Sequence, residues 1–153
     1  MEIPFRSAIV TAFVYATEDE RRVLDALRIL LPDEVKVRRS KLVGHYGNPI
    51  LSLEAQVRHK KLMRELWERI LVKLRSGELE KLARTVPGRV DETCHFYLRF
   101  GKQLAHAGEL VLTGSGDAIH LRLKVAAYPA KREVAIGLVE KFMQALASDI
   151  NSL

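Results

Sequence analysis

Between Glu34 and Arg58 the sequence folds back on itself, and this stretch constrains the architecture more than any other. A basic run (Val35, Lys36, Val37, Arg38, Arg39, Ser40, Lys41) leads into Gly44-His45-Tyr46-Gly47-Asn48-Pro49. A run of strict alternation follows, with Leu51, Leu53, Ala55 and Val57 on one side and Ser52, Glu54, Gln56 and Arg58 on the other. Two strand-like runs joined through a glycine-bracketed turn predict a β-hairpin. Gly44 and Gly47 tolerate positive φ, and Pro49 can open a strand but not sit in the middle of a ladder. The hairpin tip therefore presents His45 and Tyr46 next to the cations Lys36, Arg38, Arg39 and Lys41. Cations suit phosphates and aromatic rings suit bases, so the composition points to nucleic acid. A solvated edge kept soluble by its charges has the same composition.

The rest of the chain supplies partners for this hairpin. Phe5 to Tyr15 is apolar on both faces, as a central strand is. Thr17-Glu18-Asp19-Glu20 matches a capping box, followed by a helix with Val23, Leu24, Leu27, Leu30 and Leu31 on one stripe, ending before Pro32. Residues 59–75 repeat Leu62, Leu66, Ile70 and Leu74 at helical spacing, with Trp67 as a core residue. A short helix is expected over Glu78 to Arg84, and a strand over residues 92–100 with His95, Tyr97 and Arg99 outward. A helical turn follows at Leu104 to Ala107, then a short strand at Glu109 to Leu112 and a turn at Gly114-Ser115-Gly116-Asp117. Ile119 to Val125 alternates again, with His120, Arg122 and Lys124 outward, and a final helix follows Pro129.

The predicted order is β-α-β-β-α-β-β-β-α. It describes a single α+β domain over residues 1–153, with one antiparallel (mixed) sheet and helices packed on one face. If the strands share a sheet, its other face collects Lys36, Arg38, Arg58, His95, Tyr97, Arg99, His120, Arg122 and Lys124 against the single carboxylate of Glu54. A formal charge of +6 over 153 residues, from 25 Lys and Arg against 19 Asp and Glu, agrees with an anionic partner. One cysteine, Cys94, excludes an intrachain disulfide and a cysteine-rich zinc site. No metal and no cofactor is expected. The N-terminus does not read as a secretory signal and no run is long enough to span a membrane. The expected setting is the cytoplasm.

Catalytic motifs are missing: no His-Glu-x-x-His, no phosphate loop and no Gly-x-Ser-x-Gly elbow. His95 and His120, if opposed across two strands, could bind a metal or act as an acid–base pair, which would suit a ribonuclease with Lys102 as charge stabiliser. Lys131 and Arg132 stand at the start of the last helix, where the dipole disfavours cations; a phosphate bound at that helix N-terminus would account for them, as would Glu133 or simple exposure.

Four segments, taken in order, resemble a known family: Tyr15-Ala16-Thr17-Glu18-Asp19-Glu20, Gly44-His45-Tyr46-Gly47-Asn48-Pro49, Leu98-Arg99-Phe100-Gly101-Lys102-Gln103 and Asp117-Ala118-Ile119. The chain is similar, from Ile9 to Leu146, to an archaeal family of RNA-binding proteins described as predicted exosome subunits. The family pattern has an acidic residue before the Lys-Gln pair, where this chain has Gly101. The resemblance implies a fold like that of the large-subunit ribosomal protein that binds 5S rRNA. It also implies RNA binding without catalysis, in RNA processing or ribosome biogenesis. Its motif residues His45, Tyr46, Asn48, Arg99, Lys102 and Gln103 become candidate RNA contacts.

The combined expectation is a non-catalytic RNA-binding protein. Lys36, Arg38, Arg39 and Lys41 meet phosphates, Tyr46 and Tyr97 stack, and Lys102, Gln103, Arg122 and Lys124 extend the surface. Partners besides RNA would be exosome or ribosome-associated proteins, or a second copy in a homodimer. The alternatives are a protein-interaction subunit of an RNA-processing complex and the His95/His120 ribonuclease.

Overall fold

The computed structural model describes residues 1–114 and 116–151. The chain runs β1 (Phe5–Tyr15), α1 (Glu20–Arg28), β2 (Arg38–Val43), β3 (Pro49–Arg58), α2 (Lys60–Lys73) and α3 (Glu78–Arg84). It continues through a 3₁₀ turn (Pro87–Arg89), β4 (His95–Gly101), α4 (Lys102–His106), β5 (Ala118–Val125) and α5 (Arg132–Asn151). The strands form one sheet in the order β2-β3-β1-β5-β4, with every neighbouring pair antiparallel. This is the expected α+β class.

Strand alternation decides where the core lies. Ala8, Val10, Ala12 and Val14 of β1 sit beside Val57, Ala55, Leu53 and Leu51 of β3, and Ala8 and Val10 sit beside Leu123 and Leu121 of β5. Phe96, Leu98 and Phe100 of β4 continue this layer. The helices cover it with Val23 and Leu27 of α1, Met63, Leu66, Trp67 and Ile70 of α2, Leu79 and Leu82 of α3, and Val139, Phe142 and Met143 of α5. Trp67 is a core residue, as its spacing predicts. It stacks on Phe5 at 5.5 Å and meets the Phe142 ring edge-on at 5.1 Å. Fully burying a large apolar side chain of this kind contributes about 1.5–3 kcal/mol.

Three expectations change. Helix α1 is capped by Asp19, whose carboxylate accepts from Arg21 N at 3.0 Å, not by Thr17. Glu18 is drawn back to Tyr15 N and Glu20 outward to Arg39, so neither closes a capping box. The strand predicted at Glu109 to Leu112 exists only as isolated bridges, Leu110 to Leu74 and Leu112 to Phe100, so the sheet has five strands among the described residues. Arg132 at the start of α5 faces no empty anion site. Its guanidinium donates to Val90 O at 2.9 Å and Pro87 O at 2.5 Å, which ties α5 to the 3₁₀ turn. Of the turn predicted at residues 114–117, Ser115 lies outside the described residues.

Candidate nucleic-acid interface

The register of the five strands assembles the helix-free face row by row. One row reads Arg38 on β2, Glu54 on β3, Thr11 on β1, His120 on β5 and Arg99 on β4. The next reads Gln56, Ile9, Arg122, Tyr97, and the one beyond it Arg58, Ser7, Lys124, His95. Neighbouring strands stand about 4.8 Å apart, so Arg38 and Arg99 end a row of roughly 19 Å. The charges lie on the strands to either side of the middle one: Arg38 on β2, Glu54 and Arg58 on β3, Arg122 and Lys124 on β5, and Arg99 on β4. The middle strand β1 contributes Ser7, Ile9, Thr11, Phe13 and Tyr15 to this face.

The field of this face is written into its titratable groups. Burial pushes the His120 imidazole below its ordinary value and the nearby Arg99 cation lowers it further, against the pull of Asp117. His95 is lowered by burial as well; Asp91 works to raise it, while Lys124 and Arg122 lower it. Both rings are therefore neutral at pH 7. At the β4 end, burial works to raise the Asp91 pKa, but donors from His95 N, Tyr97 Oη, Thr93 Oγ1 and Thr93 N outweigh it and hold the carboxyl at about 2. The Tyr97 hydroxyl is pinned to Asp91 at 2.8 Å, which raises its pKa and fixes the ring on a face where it stays 39% exposed. Lys124 Nζ donates to Thr93 O at 2.7 Å and stays on the face.

The hairpin closes as predicted. Gly47 N donates to Gly44 O at 2.9 Å and Gly44 N to Asn48 O at 2.7 Å, with Gly47 at φ 81°. Asn48 fills the space beside Gly44, where an added Cβ would come within 2.8 Å of its side-chain oxygen. His45 and Tyr46 pack edge to face at 4.9 Å, and Tyr46 is 92% exposed. The arm cations do not form one patch, however. Lys36 precedes β2 and is exposed. Arg38 projects on the open face, but Arg39 and Lys41 have the opposite parity, facing the side of Leu53 and Leu51. Arg39 forks onto both oxygens of Glu20 at the start of α1, which raises its pKa through the hydrogen bond and the carboxylate charge. Its first partner is internal.

Lys102 departs furthest from expectation. Its side chain is 5% exposed. Nζ donates to Phe13 O at 2.7 Å and Glu18 Oε1 at 2.8 Å, lies 2.6 Å from Asp117 Oδ2, and sits over the Tyr15 ring at 5.3 Å. All three ammonium protons have acceptors, which is what a buried lysine needs. Lys102 thus joins the end of β1, the approach to α1 and the turn before β5, and it does not extend the exposed surface. Three of the four sequence segments that carry the family resemblance meet in this cluster through Glu18, Lys102 and Asp117. Gln103 beside it is exposed and lines an open cleft with Thr17, Arg22 and His106.

The histidine pair does not form. His95 stands opposite Lys124 and His120 opposite Arg99, so the two rings belong to different rows. Among the described residues no group of three or more His, Cys, Asp and Glu could hold a metal ion. No helix of the described chain is long and apolar enough to cross a membrane. Sequence reasoning missed the roles of Glu18 and Asp117. Their signal was an acidic residue in each of two segments that carry the family resemblance, read otherwise as a helix cap and a turn.

A family model described as RNA binding matches residues 7–125. The chain is 34% identical over 140 residues to the RNA-binding protein PAB1135 of Pyrococcus abyssi, covering 88% of this chain and 91% of that one. Protein MJ0213 of Methanocaldococcus jannaschii is 32% identical over 117 residues, covering 72% and 77%. The crystal structure of protein AF2318 from Archaeoglobus fulgidus superposes with a TM-score of 0.81 at 34% identity, over 90% of this chain and 98% of that one. Both the family match and the PAB1135 similarity span most of the sequence, and the chain belongs to this RNA-binding family.

Proposed function

We propose that this protein is a non-catalytic RNA-binding protein that holds RNA on the open sheet face and the adjoining hairpin. The observation that carries the reading is the open face itself. Arg38, Arg58, Arg99, Arg122 and Lys124 stand there with Glu54 as the only opposing carboxylate along the paired rows. Phosphates would lie on the cations to either side of β1, with Lys36 extending the track and Lys41 meeting RNA that passes over the β2 edge. Tyr97, held by Asp91, and Tyr46 at the tip would stack on bases or ribose. His45, Asn48 and Gln103 are the remaining polar contacts of this reading. Arg39 would contribute only after leaving Glu20, and Lys102 would act by holding the framework.

The protein would work in the cytoplasm in RNA processing, with the exosome, or in ribosome biogenesis. Kinship in fold with the large-subunit protein that binds 5S rRNA belongs to the same proposal. The family membership and the absence of the histidine pairing support a binding role over a catalytic one.

Salt dependence tests the proposal. Five neutralised phosphates on single-stranded RNA, at ~0.7 per contact, give a slope of log K against log salt near −3.5. A slope near zero would exclude an electrostatic face. Turnover of RNA by the pure protein, lost on His95→Ala or His120→Ala, would replace binding with catalysis.

A further inference from the structure

The two edges of the sheet are finished differently. The outer edge of β4 is covered on both flanks. Asp91 N donates to His95 O at 3.0 Å, Gly101 N to Val111 O at 3.1 Å and Thr113 N to Arg99 O at 2.9 Å. The outer edge of β2 pairs with no strand or bridge among the described residues, and all six of its residues are exposed. In an antiparallel ladder every second residue turns its N–H and C=O away from its partner. Gly44 N points inward to Asn48 O, so the outward set is Val43, Lys41 and Arg39.

Edge cations alone would be ordinary protection against aggregation. They do not account for Leu42 at 44% and Val43 at 79% exposure on the same short strand. A strand that combines free backbone donors and acceptors, cations and exposed aliphatic side chains has the features of a β-addition site.

The geometry points to β2 as a docking edge for an extended segment of a partner protein in which acidic and apolar residues alternate. RNA fits this edge poorly. Phosphate oxygens only accept, so they could use the three outward N–H groups but would be repelled by the three outward C=O groups, whereas a peptide strand satisfies both. A second copy of the chain fits poorly too. Antiparallel pairing of β2 with itself through its outward residues sets Arg39 opposite Lys41, or Lys41 opposite its own copy, like charge against like. Acidic side chains remove that repulsion. The edge lies in the plane of the sheet and the open face lies normal to it, so a docked strand would leave the RNA face free and widen it.

The test uses the full chain and an acetylated, amidated peptide of four Glu-Val repeats, with four Lys-Val repeats as control, followed by amide NMR and hydrogen exchange. The expected result is shifts centred on β2, slower exchange at Arg39, Lys41 and Val43, and at least tenfold weaker binding of the basic peptide. Val43→Pro, which removes one outward donor from an exposed position, should weaken the acidic peptide at least tenfold while β1 and β5 amide shifts persist. If that variant disturbs the hairpin, Lys36→Glu with Lys41→Glu should reverse the preference between the two peptides. Three outcomes would each overturn the proposal: no β2 shifts at millimolar peptide, equal binding of both peptides, or the same three amides protected by an RNA oligonucleotide.

Discussion

Lys102 and Arg99 are three residues apart in sequence, and both belong to the segment that resembles RNA-binding relatives. Arg99 stands exposed on the open face beside His120 and lowers the pKa of that ring. Lys102, just past the end of β4, turns inward and gives its charge to Glu18, Asp117 and a β1 carbonyl. The same formal charge thus has two uses. One cation holds strands and turns together, and the other projects a positive field into solvent. The difference lies in the acceptors the fold brings within reach, so a basic composition alone cannot say which cations are available to a ligand.

The largest effect expected from this contrast is on stability. Lys102→Met leaves two partly solvated carboxylates and a carbonyl oxygen facing a buried apolar side chain, and should cost about 1–3 kcal/mol in urea denaturation. Adding Glu18→Gln and Asp117→Asn should recover part of that loss, because the uncompensated charges disappear. Loss below 1 kcal/mol would mean that the cluster does not hold the fold.

Reversing charges on the free side should do the opposite. Arg38→Glu with Lys41→Glu is expected to weaken RNA at least tenfold, about 1.4 kcal/mol, with stability within roughly 0.5 kcal/mol of the parent. Filter binding and urea titration on the same preparation check both halves. Unchanged RNA affinity would take the hairpin out of the site.

A smaller effect sharpens the electrostatic half. The pKa values of His95 and His120 are lowered in the folded chain. As pH falls through the unfolded value of about 6.5, the unfolded chain takes up protons first, so the stability contributed by these groups declines. RNA phosphates favour the protonated rings, so affinity should rise over the same fall in pH. Two added cations would steepen the salt slope by about 1.4. His95→Gln with His120→Gln should flatten that pH response. A response that persists in the variant would place the titrating groups elsewhere.

Local pattern was enough to read much of this molecule. Alternation located β1 at Phe5–Tyr15, and the four-residue repeat located the buried stripe of α2 with Trp67 inside it. The glycine pair located the turn between β2 and β3. Parity along β4 and β5 also told which side chains share the open face, because every side chain in a strand is assigned by the same period of two. What escaped depends on contacts distant in sequence. Lys102 meets Glu18 across 84 positions, and Arg39 meets Glu20 across 19. A lysine after a glycine at a strand end looks solvent-facing until its acceptors arrive from other elements. The cap on α1 is Asp19 and not Thr17, and Glu20, the far member of the predicted box, reaches Arg39 instead of turning back to Thr17. The division of Arg38 from Arg39 and Lys41 needed the register of β2 on β3, which the hairpin turn sets and the basic run alone does not.

The most direct test of the contrast is ultraviolet and chemical crosslinking of the purified protein to RNA, with the adducts mapped to single residues. The account predicts adducts at Tyr97 and Tyr46 and on lysines of the open face and hairpin, Lys124 and Lys41 among them, with none at Lys102. Adducts concentrated at Lys102, or on the helices while the open face and the hairpin stay clean, would contradict it.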